Sequence, residues 1–95
     1  MISNSQQIIN SATILKSVGH PIRIQIIILL GQYTEMTVTQ LSEKLDIEQP
    51  VMSLHLGVLR KKNIIQSIKE GKKSIYSIND VSVKQIVNMM YNTRS

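Results

Sequence analysis

Between Thr37 and Lys62 the chain writes two short helices with almost nothing between them. Thr37-Val38-Thr39-Gln40 has the form of a capping box, in which the threonine hydroxyl caps the helix start and the glutamine reaches back to it. Val38, Leu41 and Leu45 then fall on one apolar stripe. Asp46-Ile47-Glu48 leaves room only for a turn. Pro50, with its fixed φ, is suited to open the next helix at its first position. In that helix Met52, Leu56 and Leu59 share a face and point to a core. Two short helices joined by a tight turn, the second followed by Arg60-Lys61-Lys62, form the helix-turn-helix pattern.

The flanks supply the rest of a small domain. Ile8, Ile9, Ala12 and Leu15 recur at helical spacing and predict a first helix, broken at Gly19. Pro21 opens a second helix with Ile24, Ile27 and Ile28 on one stripe, and Gly31 is expected at its C-terminal end. After Asn63 the period changes to alternation. Ile64, Gln66 and Ile68 share one strand face, and Ser74, Tyr76 and Ile78 share a face of the next strand. Lys69 to Lys73 reads as the hairpin loop, with Gly71 free to take positive φ. From Asp80 a last helix carries Val83, Ile86, Val87 and Met90 at i, i+3, i+4, i+7. The expected fold class is therefore mainly α with a small β-hairpin, the hairpin lying between the fourth and fifth helices.

Charge is concentrated in one place. Arg60, Lys61, Lys62, Lys69, Lys72 and Lys73 lie close in sequence against Glu70 alone, and this stretch accounts for the whole net charge of +5. Elsewhere cations and carboxylates balance. A local positive field suits a polyanion, either nucleic acid or an anionic membrane surface. The same stretch could also serve as a solvated loop. The aromatic fraction is 3%, all of it tyrosine, so there is no Phe or Trp platform on which to stack single-stranded bases. Cysteine is absent, which excludes disulfides, thiolate metal sites and thiol redox sensing. No paired carboxylates, nucleophile–base set or phosphate loop is legible, so an enzyme is not expected, nor is a cofactor. The start lacks the basic region of a signal peptide, and the longest apolar run, Ile26 to Leu30, is far short of the roughly 20 residues that span a bilayer. The expectation is a cytoplasmic protein, associated with the nucleoid when bound, with no membrane partner.

Two segments resemble a known family. Leu15-Lys16-Ser17-Val18-Gly19-His20-Pro21-Ile22-Arg23 is similar to the opening of ArsR/SmtB-type bacterial repressors, and Gln49-Pro50-Val51-Met52-Ser53-Leu54-His55-Leu56-Gly57-Val58-Leu59-Arg60 resembles their recognition helix. The hairpin with Glu70-Gly71-Lys72 and Tyr76 resembles their wing. The likeness covers Leu15 to Ile78, and Ser53-x-His55-Leu56-x-x-Leu59 is fairly specific where it follows the other helices. It implies a homodimeric winged helix-turn-helix repressor: one domain over 1–95, dimerisation helices at 5–18 and 80–92, a helix-turn-helix over 37–62 and a wing over 64–79. The implied dimer interface is Ile8, Ile9, Ala12, Leu15, Val83, Ile86, Val87 and Met90. The departures matter as much. Where many members carry a metal-binding Cys-x-Cys, this chain has Thr37 and Thr39, and hydroxyls are poor ligands for soft metals. Where others bind zinc through Asp-x-His on the last helix, Asp80 remains but Ser82 replaces the histidine.

These readings give a candidate DNA-binding set. Gln49 is suited to adenine and Ser53 to several base edges, while Pro50 or Leu54 can touch a thymine methyl. Gly57 allows close approach to the backbone, and Arg60 and Lys61 suit phosphates. Lys69, Lys72 and Lys73 at the wing would reach the minor groove or flanking phosphate, and Thr39 a phosphate. His55 lies at the edge of the core stripe and is read equally as a DNA contact or a half-buried hydrogen-bonding residue. His20 reads as an N-cap or packing residue, Thr37 as a cap, and Met89 and Met90 as core or dimer filler. The expected partner is a double-stranded DNA operator with pseudo-palindromic half-sites, bound by a homodimer, with an unknown small-molecule or protein inducer as a further partner. Two alternatives stay open: a metal-responsive repressor using His20, His55 and Asp80, and a winged-helix module that binds protein instead of DNA.

Overall fold

The computed structural model of the protein describes residues 18–92. The predicted first helix, with Ile8, Ile9, Ala12 and Leu15, lies outside the described residues, as does the side chain of Met90. The described chain runs α1 (Pro21–Tyr33), β1 (Met36–Thr37), α2 (Val38–Leu45), α3 (Gln49–Lys61), β2 (Ile65–Glu70), β3 (Lys73–Ile78) and α4 (Val81–Asn92). This is the expected winged helix-turn-helix architecture.

Helix α1 starts where Pro21 predicts, and His20 caps it by accepting the Ile22 amide on Nδ1 at 3.1 Å. It does not stop at Gly31, however. It continues to Tyr33 and is closed by Thr34, whose φ is +70° and whose N–H donates to the Leu30 carbonyl. Gly31 instead marks a close approach between helices. A Cβ at this position would lie 2.6 Å from Val87 Cγ1 on α4. The inward face of α1 also differs from the expected stripe: Ile26, Ile27 and Leu30 are buried, while Ile24 and Ile28 are half-buried. Seven of the nine residues from Ile22 to Leu30 are apolar, with an unbroken run from Ile26, so periodicity does not select a face. The helix touches α2, α3, β3 and α4, which is why so many of its positions can be apolar.

The capping box is present as read. Thr37 Oγ1 accepts the Gln40 amide at 3.1 Å, and Gln40 Oε1 accepts the Thr37 amide at 2.9 Å. Thr37 also ends β1, a strand that the sequence reading misses because it is only two residues long. β1 pairs antiparallel with β3, Met36 opposite Tyr76 and Thr37 opposite Ile75, so the sheet has the order β1-β3-β2. The turn between α2 and α3 is closed by Asp46 in the left-handed conformation (φ +54°), with the Ile47 amide bonded to the Ser42 carbonyl at 3.0 Å. α3 begins one residue before Pro50, which therefore sits at its second position. Met52, Leu56 and Leu59 are fully buried, as their spacing predicts.

The hairpin loop is shorter than the five residues read from sequence. Glu70 pairs with Lys73, leaving Gly71 and Lys72 between the strands. Gly71 has φ +63°, and the first position of such a loop is one where glycine is preferred. The core-facing side of β2 is Ile65 and Ser67. Ile68 points outward and is 55% exposed. Asp80 caps α4 through Oδ1, which accepts the Ser82 amide at 2.8 Å and the Val83 amide at 3.4 Å. Val83 and Val87, expected at a dimer interface, are instead buried to 2% and 4% exposure within the chain's own core, where Val87 meets Gly31. Ile86 is half-buried beside them, and Met89, expected as filler, is 64% exposed.

Candidate nucleic-acid interface

Burying Met52, Leu56 and Leu59 turns the opposite face of α3 outward. Gln49, Pro50, Ser53, Leu54, Gly57, Arg60 and Lys61 are all exposed, with Leu54 at 69%.

His55 departs from the expected DNA-facing set. It is 7% exposed and turns inward, where its Nδ1 accepts the Arg23 Nε–H at 3.2 Å. Arg23 also donates through Nη1 to the Val18 carbonyl at 3.2 Å, and the His20 ring lies 4.7 Å from the His55 ring, tilted by 46°. Burial first, then the nearby His20 and Arg23, lower the His55 pKa from its ordinary value of 6.5. The side chain is thus a neutral acceptor that anchors α3 to the start of α1. Of the three residues considered as metal ligands, His20 and His55 come together but have their Nδ1 atoms occupied, and Asp80 is engaged as the cap of α4. Among the described residues no group of three or more His, Cys, Asp or Glu is placed to hold a metal ion.

Three elements converge on one cleft of about 540 Å³. The start of α2 contributes Thr37, Thr39 and Gln40; the start of α3 contributes Gln49 and Ser53; the wing contributes Lys72, Lys73, Ser74 and Tyr76. No carboxylate lines it. Hydroxyls, amides and two ammonium groups around a concave surface are the donors a phosphate backbone requires. Within it Gln49 Nε2 donates to Thr39 Oγ1 at 3.1 Å. The structure therefore gathers Thr39, Gln49, Ser53, Lys72 and Lys73 into one cleft. It places Pro50, Leu54, Gly57, Arg60 and Lys61 along the exposed length of α3, and leaves Lys69, exposed and opposite Ser74 in the wing, outside the cleft lining. Ser74 and Tyr76 were not singled out in the sequence as site residues. Strand alternation alone marks them as one face of β3 and does not say what that face meets.

Comparison with known proteins agrees with this geometry. The family model described as bacterial regulatory protein, arsR family, matches residues 20–67. An HTH-type transcriptional regulator of Methanocaldococcus jannaschii is 36% identical over 80 residues, covering 84% of this chain and 90% of the relative. The biofilm growth-associated repressor of Xylella fastidiosa is 32% identical over 80 residues, covering 84% of this chain and 69% of the relative. Among solved structures, reduced HlyU from Vibrio cholerae superimposes with a TM-score of 0.79 at 27% identity, covering 98% of this chain and 94% of that one.

Proposed function

The chain belongs to the arsR family of bacterial regulatory proteins, which makes it a DNA-binding transcriptional regulator, and from that premise we propose that it is a sequence-specific repressor acting on duplex DNA as a homodimer. The observation that carries this reading is the carboxylate-free cleft shared by α2, α3 and the wing. α3 enters the major groove by its N-terminal end. Gln49 and Ser53 meet base edges and Leu54 or Pro50 a thymine methyl, while Gly57 keeps the helix axis close to the DNA. Arg60 and Lys61 hold phosphates, Thr39 donates to one, and Lys69, Lys72 and Lys73 reach the minor groove or the flanking strand.

The dimer interface, drawn from the segment that holds Ile8, Ile9, Ala12 and Leu15 and from the outer part of α4, is the second part of the reading. Two copies read a pseudo-palindrome whose half-sites lie about one helical turn apart. Repression follows when the bound pair occludes a promoter, and the name of the X. fastidiosa relative favours that direction. Metal or thiol sensing is no part of the proposal. Cysteine is absent, Thr37 is engaged as a cap where the family carries a ligand, and Asp80 is engaged at the start of α4. Added zinc or nickel is expected to leave both melting temperature and operator affinity unchanged.

Selection of binding sites from random duplex DNA tests the whole. The expected result is an enriched inverted repeat, with binding abolished in a Lys69→Ala/Lys72→Ala/Lys73→Ala variant that keeps its fold by circular dichroism. Enrichment of no sequence, or full binding by the triple variant, would remove the basis of the proposal.

A further inference from the structure

We infer that Thr39 is a positioning residue for base readout: its hydroxyl holds the Gln49 amide in the one orientation that accepts adenine and rejects guanine. The inference rests on the reading of α3 as the major-groove helix and adds to it a determinant of which base is read.

The terminal torsion of a glutamine side chain is broad and two-fold, so an unsupported amide exchanges its oxygen and nitrogen ends. Thr39 removes that freedom once its own proton is given to a phosphate oxygen, because its hydroxyl can then only accept and Gln49 must face it with an N–H. Gln49 Nε2 donates to Thr39 Oγ1 at 3.1 Å, across from the first turn of α2 to the first turn of α3. An amide nitrogen has two hydrogens, and one is now committed. What Gln49 still offers is its carbonyl oxygen and a single N–H. In the major groove adenine presents the N7 acceptor and the N6 donor, which one N–H and one oxygen satisfy together. Guanine presents two acceptors, N7 and O6. A free amide can turn both of its hydrogens toward guanine; one already bonded to Thr39 cannot. The bond thus acts as exclusion as well as orientation, the form that discrimination takes when the wrong partner leaves polar groups unpaired.

The surroundings fit. Both side chains are exposed and line the same cleft as Lys72 and Lys73, so base edge and phosphate lie within reach of one corner of the molecule. Thr39 Oγ1 accepts from Gln49 through a lone pair, which leaves its own proton free to donate to a phosphate oxygen. One hydroxyl then ties the position of the backbone to the orientation of the reading amide.

The test uses the full chain and its own selected operator, with the base opposite Gln49 identified as the position whose preference disappears in Gln49→Ala. Affinities are then measured for adenine, guanine and 7-deazaadenine at that position. The unaltered protein is expected to favour adenine over guanine by about tenfold or more, and to lose at least about fivefold with 7-deazaadenine, as a bidentate contact requires. Thr39→Val should shrink the adenine-to-guanine ratio to within about threefold while preferences at all other positions stay as they were. Thr39→Ser should restore the ratio. In the Gln49→Ala background Thr39→Val should change no base preference. Because Thr39 is exposed these variants should fold, and Thr39→Ala repeats the test without a branched side chain. A Thr39→Val protein that keeps its ratio, or that binds every base more weakly by one common factor, overturns the inference. So does a Gln49→Ala variant that loses preference for something other than adenine. If the unaltered protein selects no sequence, the failure lies with the DNA reading itself and takes this inference with it.

Discussion

A histidine in the middle of the helix proposed to read DNA looks like a contact until its neighbours are counted. His55 faces Arg23 of α1 and the cap residue His20, and its Nδ1 accepts the Arg23 Nε–H. Protonation would put a second donor against that guanidinium and a cation into a buried position. Burial, His20 and Arg23 therefore all lower its pKa below the ordinary 6.5. The unfolded chain binds the proton more readily than the folded one, so acid favours unfolding. Stability from this group is fully present above about pH 6.5 and is lost as pH falls from there through the lowered folded value. Urea denaturation between pH 8 and pH 5 should show this decline, and His55→Gln, which carries no titrating proton, should flatten it. A decline of equal size in the variant would assign the acid sensitivity to other groups.

At the scale of elements, the α1–α4 contact depends on the absence of a side chain. A Cβ at position 31 would meet Val87 Cγ1 at 2.6 Å. Val87 is buried and β-branched, with few rotamers to move into. Gly31→Ala gains helix propensity of about 1 kcal/mol, yet overpacking of this kind costs about 1–3 kcal/mol. The expected outcome is a net loss in urea denaturation, partly relieved in the Gly31→Ala/Val87→Ala double variant, whose effect should be smaller than the sum of the singles. The same contact shows what could be read in advance. The capping box at Thr37, the turn at Asp46 and the two faces of α3 are encoded within a few residues, and the sequence shows them. Gly31 as a packing position, the two-residue β1 and the Arg23–His55 bond depend on partners far along the chain, the last of them 32 residues apart. The face of α1 is illegible for the opposite reason, since seven of the nine positions from Ile22 to Leu30 are apolar. The candidate site divides the same way. Its α3 members are legible from helical spacing, whereas Ser74 and Tyr76 join only because the wing folds back toward the starts of α2 and α3.

For the whole molecule the governing quantity is where charge meets symmetry. All of the net +5 comes from Arg60 to Lys73, and a homodimer presents this stretch twice. Contact with about six to eight phosphates gives a slope of log K against log salt of about −5 to −7. A single substitution in the wing then counts subunits. Each neutralised phosphate contributes about 0.9 to the slope, so Lys72→Ala removes about 1.8 when two wings are engaged and about 0.9 when only one is. Lys72 suits the measurement because it lies in the loop beside Gly71, outside the strand pairing, and its loss should leave the fold intact. Operator titrations from 50 to 200 mM salt on the unaltered protein and on Lys72→Ala would decide the matter. A difference of about 1.8 supports two wings on one duplex. A difference near half that value would overturn the symmetric dimer while keeping the wing on the DNA. No difference would take the wing off the phosphates and leave α3 to bind alone.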